Sequence, residues 1–97
     1  MWILETDGAA TDQATFRMPS GSVKTIGRSP GAEFILDAPL VSRLHCQLSA
    51  NGAGLQVKDL DSTNGTFVNG TRIKTAMLRA GDRLKVGRVE LTVRAEP

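Results

Sequence analysis

Three short segments of this 97-residue chain carry the side chains that could do chemistry. They are Gly27–Ser29, Val41–His45 and Asp61–Thr66, and each lies between short apolar runs. Together they supply two arginine guanidiniums, several hydroxyls and an asparagine amide. Fixed positive charge, hydroxyl donors and exposed backbone N–H groups are what holds a tetrahedral dianion such as a phosphate monoester. If the fold brings these segments together, we predict an anion site.

The adjacent pair His45 and Cys46 invites comparison with a nucleophile and its base. Successive side chains of a strand point to opposite faces, so these two would not meet. We therefore predict that Cys46 is a small buried hydrophobic residue. The sequence also has no glycine-rich phosphate loop of the P-loop type, and we expect no enzymatic activity.

This sequence contains few residues that could bind a metal or form a disulfide. Asp59 and Asp61 could form a carboxylate pair or a cation site, but no third oxygen-rich segment supports one, so a role in turns is favoured. The single cysteine excludes an intrachain disulfide and a multi-cysteine zinc site. We predict neither a bound metal nor a cofactor.

The elements that must position the three segments are short strands. The 10 Gly and 4 Pro recur along the chain and leave no interval for an amphipathic helix of about 12 residues. Turn residues, among them Gly8, Asp12, Pro19–Gly21 and Asn51-Gly52, alternate with short apolar runs. The strand-like runs are Trp2–Leu4, Phe16–Met18, Val23–Ile26, Cys46–Leu48, Leu55–Val57, Leu84–Val86 and Val89–Arg94. This pattern predicts an all-β sandwich or barrel.

The clearest single turn is Asn69-Gly70. This dipeptide suits the two positive φ angles of a two-residue type I′ hairpin. Such a hairpin would place Phe67 opposite Arg72 and Thr66 opposite Ile73.

The composition indicates one globular domain, which we take as residues 1–97. Hydrophobic residues make up 40% of the chain and charged residues 23%. The 12 Lys+Arg exceed the 10 Asp+Glu by only two, the charges are interspersed, and aromatic residues are few, so a polybasic nucleic-acid binder is disfavoured. A steep loss of oligonucleotide affinity with added salt would support that alternative.

No apolar run approaches the roughly 20 residues of a membrane span, and the start of the chain does not resemble a signal peptide. With one cysteine, we expect a cytoplasmic protein without membrane contact.

Gly27-Arg28, then Ser42-x-x-His45, then Asn64-Gly65 resemble, in order and spacing, the signature of the forkhead-associated (FHA) domain. The stretch Asp59–Gly70 is also very similar to that family, and the resemblance runs from about residue 23 to 93. It implies a two-sheet β-sandwich of about eleven short strands with peptide-binding loops at one end. It further implies a non-catalytic, phosphothreonine-dependent binding module of Ser/Thr kinase signalling, monomeric and part of a longer protein.

The resemblance also implies roles for individual residues. Arg28 would pair with the phosphate, and the hydroxyl and backbone N–H of Ser42 would reach the same phosphate. Arg43 would add another phosphate contact. Thr63 would contact the phosphate or line a pocket for the threonine methyl, and Asn64 would hydrogen-bond the peptide backbone.

Gly27, His45 and Gly65 match structural positions of the family, and His45 in that position would fix the Ser42 loop by hydrogen bonds. Leu40 lies near the place where the family selects the residue three positions after the phosphothreonine, and its apolar side chain would favour an apolar residue there. An FHA-like scaffold that binds partners without phosphate is the remaining alternative. The presence of every matched phosphate position argues against it.

Overall fold

The computed structural model describes residues 1–7 and 13–97, which form short strands and no helix. The predicted turn at Gly8 and Asp12 lies outside the described residues. In chain order the strands are β1 (Trp2–Thr6), β2 (Thr15–Met18), β3 (Val23–Gly27), β4 (Phe34–Ile35), β5 (Cys46–Asn51), β6 (Gly54–Asp59), β7 (Thr66–Val68), β8 (Thr71–Ile73), β9 (Thr75–Leu78), β10 (Arg83–Val86) and β11 (Val89–Ala95).

These strands build two sheets that pack face to face. One sheet has six strands in the order β2-β1-β11-β10-β7-β8, and the other has five in the order β4-β3-β5-β6-β9. All described pairings are antiparallel except the short parallel pair of β3 and β4. The predicted all-β sandwich of about eleven short strands is confirmed.

The core lies between the sheets and is mostly aliphatic. In β11, Leu91 and Val93 are fully buried whereas Glu90 and Arg94 are exposed, as its alternating sequence predicts. The buried cluster draws on both sheets and contains Leu4, Phe16, Met18, Ile26, Leu36, Val41, Cys46, Leu48, Ala50, Leu55, Val57, Leu78, Leu84, Val86, Leu91 and Val93. Each large aliphatic side chain contributes about 1.5–3 kcal/mol when it is fully buried.

The Asn69-Gly70 turn has the predicted form. Its φ angles are 50° and 85°, both positive, as a type I′ turn requires. Phe67 pairs with Arg72 and Thr66 pairs with Ile73, so the predicted register is confirmed.

The strand register brings the three polar segments to one end of the five-stranded sheet. Ile26, near the end of β3, pairs with Cys46 at the start of β5, and Cys46 pairs with Asp59 at the end of β6. The loops that leave β3, enter β5 and leave β6 therefore start side by side. No helix in the described part of the chain is long and apolar enough to cross a membrane.

Cys46 is a fully buried free cysteine in the core cluster, as predicted. Burial raises the pKa of its thiol to about 12, and the neighbouring Asp59 carboxylate adds to the rise, while a hydrogen bond with Thr66 opposes it.

We therefore expect the native protein to resist thiol alkylation. At neutral pH the reactive thiolate is almost absent and the sulfur is covered, so labelling of the folded protein should be roughly 100-fold slower than labelling in denaturant. Mass spectrometry of iodoacetamide-treated samples measures both rates, and equal rates in the two states would contradict this placement of Cys46.

Candidate functional site

An open cavity of about 530 Å³ lies among the loops at this end of the sandwich. It is lined by Arg28, Asp37, Ala38, Pro39, Leu40, Val41, Ser42, Thr63 and Asn64. The lining draws on all three segments singled out from the sequence, and on the residues that precede Ser42. The fold therefore brings Arg28, Ser42, Thr63 and Asn64 together although up to 36 positions separate them in sequence.

Arg28 is held at the cavity by its own backbone and side chain. Its backbone N–H donates to the Ser42 carbonyl at 3.0 Å, and its Nε donates to the Val41 carbonyl at 3.0 Å. Within the described residues its two terminal nitrogens form no hydrogen bond or ion pair. The guanidinium is thus oriented by one nitrogen and keeps the other two for a ligand.

Ser42 joins the second segment to the third. Its Oγ accepts a hydrogen bond from the Thr63 backbone N–H at 3.1 Å, which leaves the hydroxyl proton free to be donated. Its backbone N–H donates to Nδ1 of His45 at 3.0 Å. This N–H is therefore used by His45 in the structure, and its predicted contact with the phosphate stays a prediction.

His45 is fully buried and ties the two loops together. Since Nδ1 accepts from the Ser42 N–H, Nδ1 is unprotonated, and Nε2 carries the hydrogen and donates to the Gly65 carbonyl at 2.8 Å. The neutral ring thus uses both nitrogens. This is the supporting role that the sequence predicts for His45.

Asn64 holds the segment in front of Ser42. Its Nδ2 donates to the Leu40 carbonyl at 3.1 Å, and Leu40 itself has a φ of 72°, which is rare for a non-glycine residue. A side chain at Gly87 would lie 2.7 Å from the same carbonyl, so only glycine fits there. Within the described chain the Asn64 amide oxygen accepts no hydrogen bond, and it is available to a peptide N–H.

Asp59 braces the loop that carries Thr63 and Asn64. Its carboxylate accepts hydrogen bonds from the Ser62 hydroxyl, the Ser62 N–H and the Thr66 hydroxyl at 2.5, 3.2 and 2.7 Å. Partial burial by itself would raise the pKa of Asp59, but these hydrogen bonds outweigh it and lower the pKa below its ordinary value. The loop role predicted for Asp59 agrees with these contacts, and Ser62 extends the brace by accepting from the Gly65 N–H.

Gly27 and Gly65 occupy positions that a side chain would not fit. A Cβ at Gly27 would lie 1.9 Å from the Arg43 carbonyl oxygen, which is far inside contact distance. Gly65 has a φ of 91°, and a Cβ there would lie 2.8 Å from Nε of Arg72. Gly27 therefore allows two loops to approach closely, and Gly65 supplies a positive φ that residues with a side chain rarely adopt.

Arg43 is the one predicted ligand residue that does not line the cavity. Its side chain is exposed, and its backbone carbonyl accepts from the Ser29 N–H at 3.2 Å. Its phosphate contact stays a prediction.

The sequence analysis missed most of the wall that Asp37 to Val41 provide. Only Leu40 and Val41 were singled out there, although Asp37-Ala38-Pro39 is a recognisable turn signal shortly before Ser42. No cluster of three or more metal-ligating side chains occurs among residues 1–7 and 13–97.

Comparison with known proteins identifies the class to which this fold and cavity belong. The sequence profile of the FHA domain matches residues 24–87. The chain is 38% identical over 77 residues to the ABC transporter ATP-binding/permease protein Rv1747 of Mycobacterium tuberculosis, an alignment that covers 79% of this chain and 9% of that protein. The chain belongs to the FHA domain family.

Solved structures support the same assignment. The FhaA FHA domain, crystallised in complex with the intracellular domain of Rv3910, superimposes with a TM-score of 0.86 at 33% identity over 97% of this chain and 100% of that one. A structure from a study of phosphothreonine-dependent FHA domain interactions gives a TM-score of 0.84 at 33% identity over 99% and 97% of the two chains. The chain spans at most about half the length of the first curated relatives that it matches.

Gly27→Ala should damage both the fold and the cavity. The added methyl group overlaps backbone rather than a movable side chain, so we expect the free energy of unfolding to fall by about 2 kcal/mol or more. Gly31→Ala is the matched control, since its Cβ would make an ordinary 3.5 Å contact with Ser29 Oγ and should change stability by less than about 0.5 kcal/mol. Urea unfolding measures both variants, and equal stabilities would contradict the close approach at Gly27.

Asp59 should make stability depend on acid pH. Folding lowers the pKa of Asp59. The contribution of its carboxylate to the free energy of unfolding is therefore complete above the ordinary pKa of 3.8 and is lost as the pH falls through that value and below it. Asp59→Asn should reduce the free energy of unfolding at pH 7 by about 1–3 kcal/mol, and the stability of this variant should depend less on pH in acid.

Asp61→Asn is the control for the same change of charge, because the exposed Asp61 makes no hydrogen bond within the described residues and asparagine tolerates its φ of 54°. Denaturant titrations at several pH values test the pair. If both variants were as stable as the parent at pH 7, the proposed brace would be wrong.

Proposed function

We propose that this chain is a non-catalytic binding module that recognises phosphothreonine in a partner protein through the cavity at the loop end of the sandwich. The observation that carries the proposal is the juxtaposition of Arg28, Ser42, Thr63 and Asn64 around one open cavity. The membership of the FHA family and the similarity to a domain with phosphothreonine-dependent interactions support it.

The charge on the ligand decides affinity in this proposal. A phosphothreonine carries about −1.5 to −2 charges at pH 7 and three strong acceptor oxygens, whereas unmodified threonine offers one hydroxyl. The free terminal nitrogens of Arg28 and the hydroxyl proton of Ser42 can each donate to those oxygens. Each charge-assisted hydrogen bond contributes about 1.5–3 kcal/mol, so two or three decide between binding and no measurable binding.

Aspartate and glutamate replace the phosphate poorly in this scheme. A carboxylate has roughly half the charge and a planar pair of oxygens, which cannot meet donors arranged for a tetrahedral group. Preference for phosphothreonine over phosphoserine rests on one methyl group, which contributes about 0.8 kcal/mol when it is buried. We assign the contact with that methyl group, or with the phosphate, to Thr63.

The peptide backbone has a separate partner in Asn64. Its Nδ2 is already used by the Leu40 carbonyl, which fixes the side chain, and its amide oxygen can accept an N–H of the bound peptide. The exposed Leu40 side chain lies beside it on the cavity wall and would favour an apolar residue three positions after the phosphothreonine. Arg43 adds positive charge near the loop, and we retain it as an accessory phosphate contact.

We further propose that residues 1–97 act as a single monomeric domain of a longer cytoplasmic protein, without catalytic activity and without nucleic-acid or membrane binding. Two features support the absence of nucleic-acid binding. Exposed Arg83 and Arg94 form ion pairs with acidic side chains, and Phe16 stacks on Phe34 instead of lying open to bases.

Arg28→Ala should abolish phosphothreonine binding without unfolding the domain. Loss of two charge-assisted hydrogen bonds corresponds to roughly 100-fold or more in Kd. Arg17→Ala is the control, since it removes the same charge from an exposed position on β2 that does not line the cavity, and it should stay within about twofold of the parent.

Binding is measured on an immobilised degenerate phosphothreonine peptide library and on the unphosphorylated threonine library. The parent should bind only the phosphorylated library. If folded Arg28→Ala protein retained parental binding, or if the parent bound both libraries equally, the proposed function would be rejected.

A further inference from the structure

We infer that the cavity selects phosphothreonine peptides that carry a basic side chain close to the phosphorylated residue, and that Asp37 makes this selection. The inference rests on the proposed function of the same cavity. It starts from two opposite charges, Arg28 and Asp37, which line one cavity without pairing with each other.

The carboxylate of Asp37 is free in a protein that uses almost all its other acidic groups. Among the described acidic side chains only Asp37 and Asp61 take part in no hydrogen bond or ion pair, and Asp61 does not line the cavity. The remaining carboxylates cap backbone N–H groups, brace loops or pair with arginines. Asp37 therefore has no structural task that its contacts would reveal.

The backbone around Asp37 is nevertheless fixed. The Leu36 N–H donates to the Gly27 carbonyl at 2.8 Å, and the Ala38 N–H donates to the Leu36 carbonyl at 3.0 Å. Leu36 is buried in the core, and Pro39 restricts the chain on the other side. The backbone that carries the carboxylate is thus held in the cavity wall, and the carboxylate itself is exposed.

Two opposite charges on one cavity favour a ligand that carries both a negative and a positive group. Arg28 is anchored through Nε to the Val41 carbonyl and forms no ion pair with Asp37, so its terminal nitrogens remain for an anion. A bound phosphate dianion would raise the negative charge of the cavity and face an uncompensated carboxylate. A lysine or arginine of the peptide near Asp37 relieves this, whereas a glutamate or a second phosphate at the same place adds repulsion.

The long-range field of the protein works in the opposite direction. The net charge of +2 favours acidic peptides in general. Selection by Asp37 must therefore appear as a preference for a basic residue at one or two peptide positions. The preference for acidic residues at the other positions should be weak. Because exposed ion pairs are weak, we expect peptides with lysine at that position to bind about three- to tenfold more tightly than those with glutamate.

The experiment compares the parent with Asp37→Asn and Asp37→Lys on the degenerate phosphothreonine library, scoring lysine and glutamate at each position from three before to three after the phosphothreonine. Individual peptides that differ only in lysine or glutamate at the most selective position then give Kd values. Glu96→Gln is the matched control, because it also raises the net charge from +2 to +3 but removes an exposed carboxylate that does not line the cavity.

The parent and Glu96→Gln should share a lysine preference at the same position. Asp37→Asn should lose the preference, Asp37→Lys should reverse it, and about 0.5 M salt should weaken it. A second phosphate at that position should lower affinity for the parent and raise it for Asp37→Lys.

Two results would overturn the inference while leaving the proposed function intact. One is phosphate-dependent binding by the parent with equal lysine and glutamate enrichment at every position. The other is a lysine preference that Asp37→Asn retains in full. Failure of the parent to bind any phosphothreonine peptide would instead reject the proposed function itself.

Discussion

The cavity depends on one buried imidazole. His45 accepts from the Ser42 N–H with one ring nitrogen and donates to the Gly65 carbonyl with the other, so a single neutral side chain sets the distance between the two loops. The hydrogen bond to Gly65 is buried and the one to Ser42 is partly buried, so loss of either would leave a polar group of the buried ring unsatisfied, which is costly. The Ser42–Thr63 hydrogen bond adds a second tie on the cavity side. The loops are therefore held in place before a ligand arrives.

The positive charge at the protein surface depends on which arginines pair with carboxylates. On the six-stranded sheet, Arg83 and Arg94 are satisfied by carboxylates, and these exposed pairs leave little net field. Arg28, on the cavity, has no carboxylate partner among the described residues, and its Nε donates to a neutral carbonyl. The Arg28 guanidinium is therefore oriented but not neutralised. With the unpaired Asp37 carboxylate on the same cavity, it makes the cavity positive at one place and negative at another.

Local backbone strain is concentrated beside the same cavity. Leu40 adopts a φ of 72°, and its carbonyl is held between Asn64 and a glycine, Gly87, that leaves room for it. A left-handed non-glycine residue is tolerated when surrounding contacts determine its conformation, as they do here. The strained residue turns the chain so that Asp37 and Ser42 face one space.

The sequence alone indicated a sandwich or barrel of short strands, and its resemblance to a family supplied the choice of a sandwich and part of the cavity. Strand after strand carries alternating or short apolar runs, and Asn69-Gly70 sets its hairpin by local φ preferences, so these features do not need distant contacts. Arg28, Ser42 and Asn64 could be named because their residue types and spacing resemble a family.

Only the tertiary structure decided which groups are free. The sequence gives no sign that the Ser42 N–H is taken by His45, that Arg43 lies off the cavity, or that Asp37 lies on it. Each of these depends on how loops from separate strands approach one another, and that approach is set by strand register and by packing at glycines such as Gly27. The residue type determines which groups a side chain can bind. Whether another residue of the chain already uses its donors and acceptors is determined by the fold.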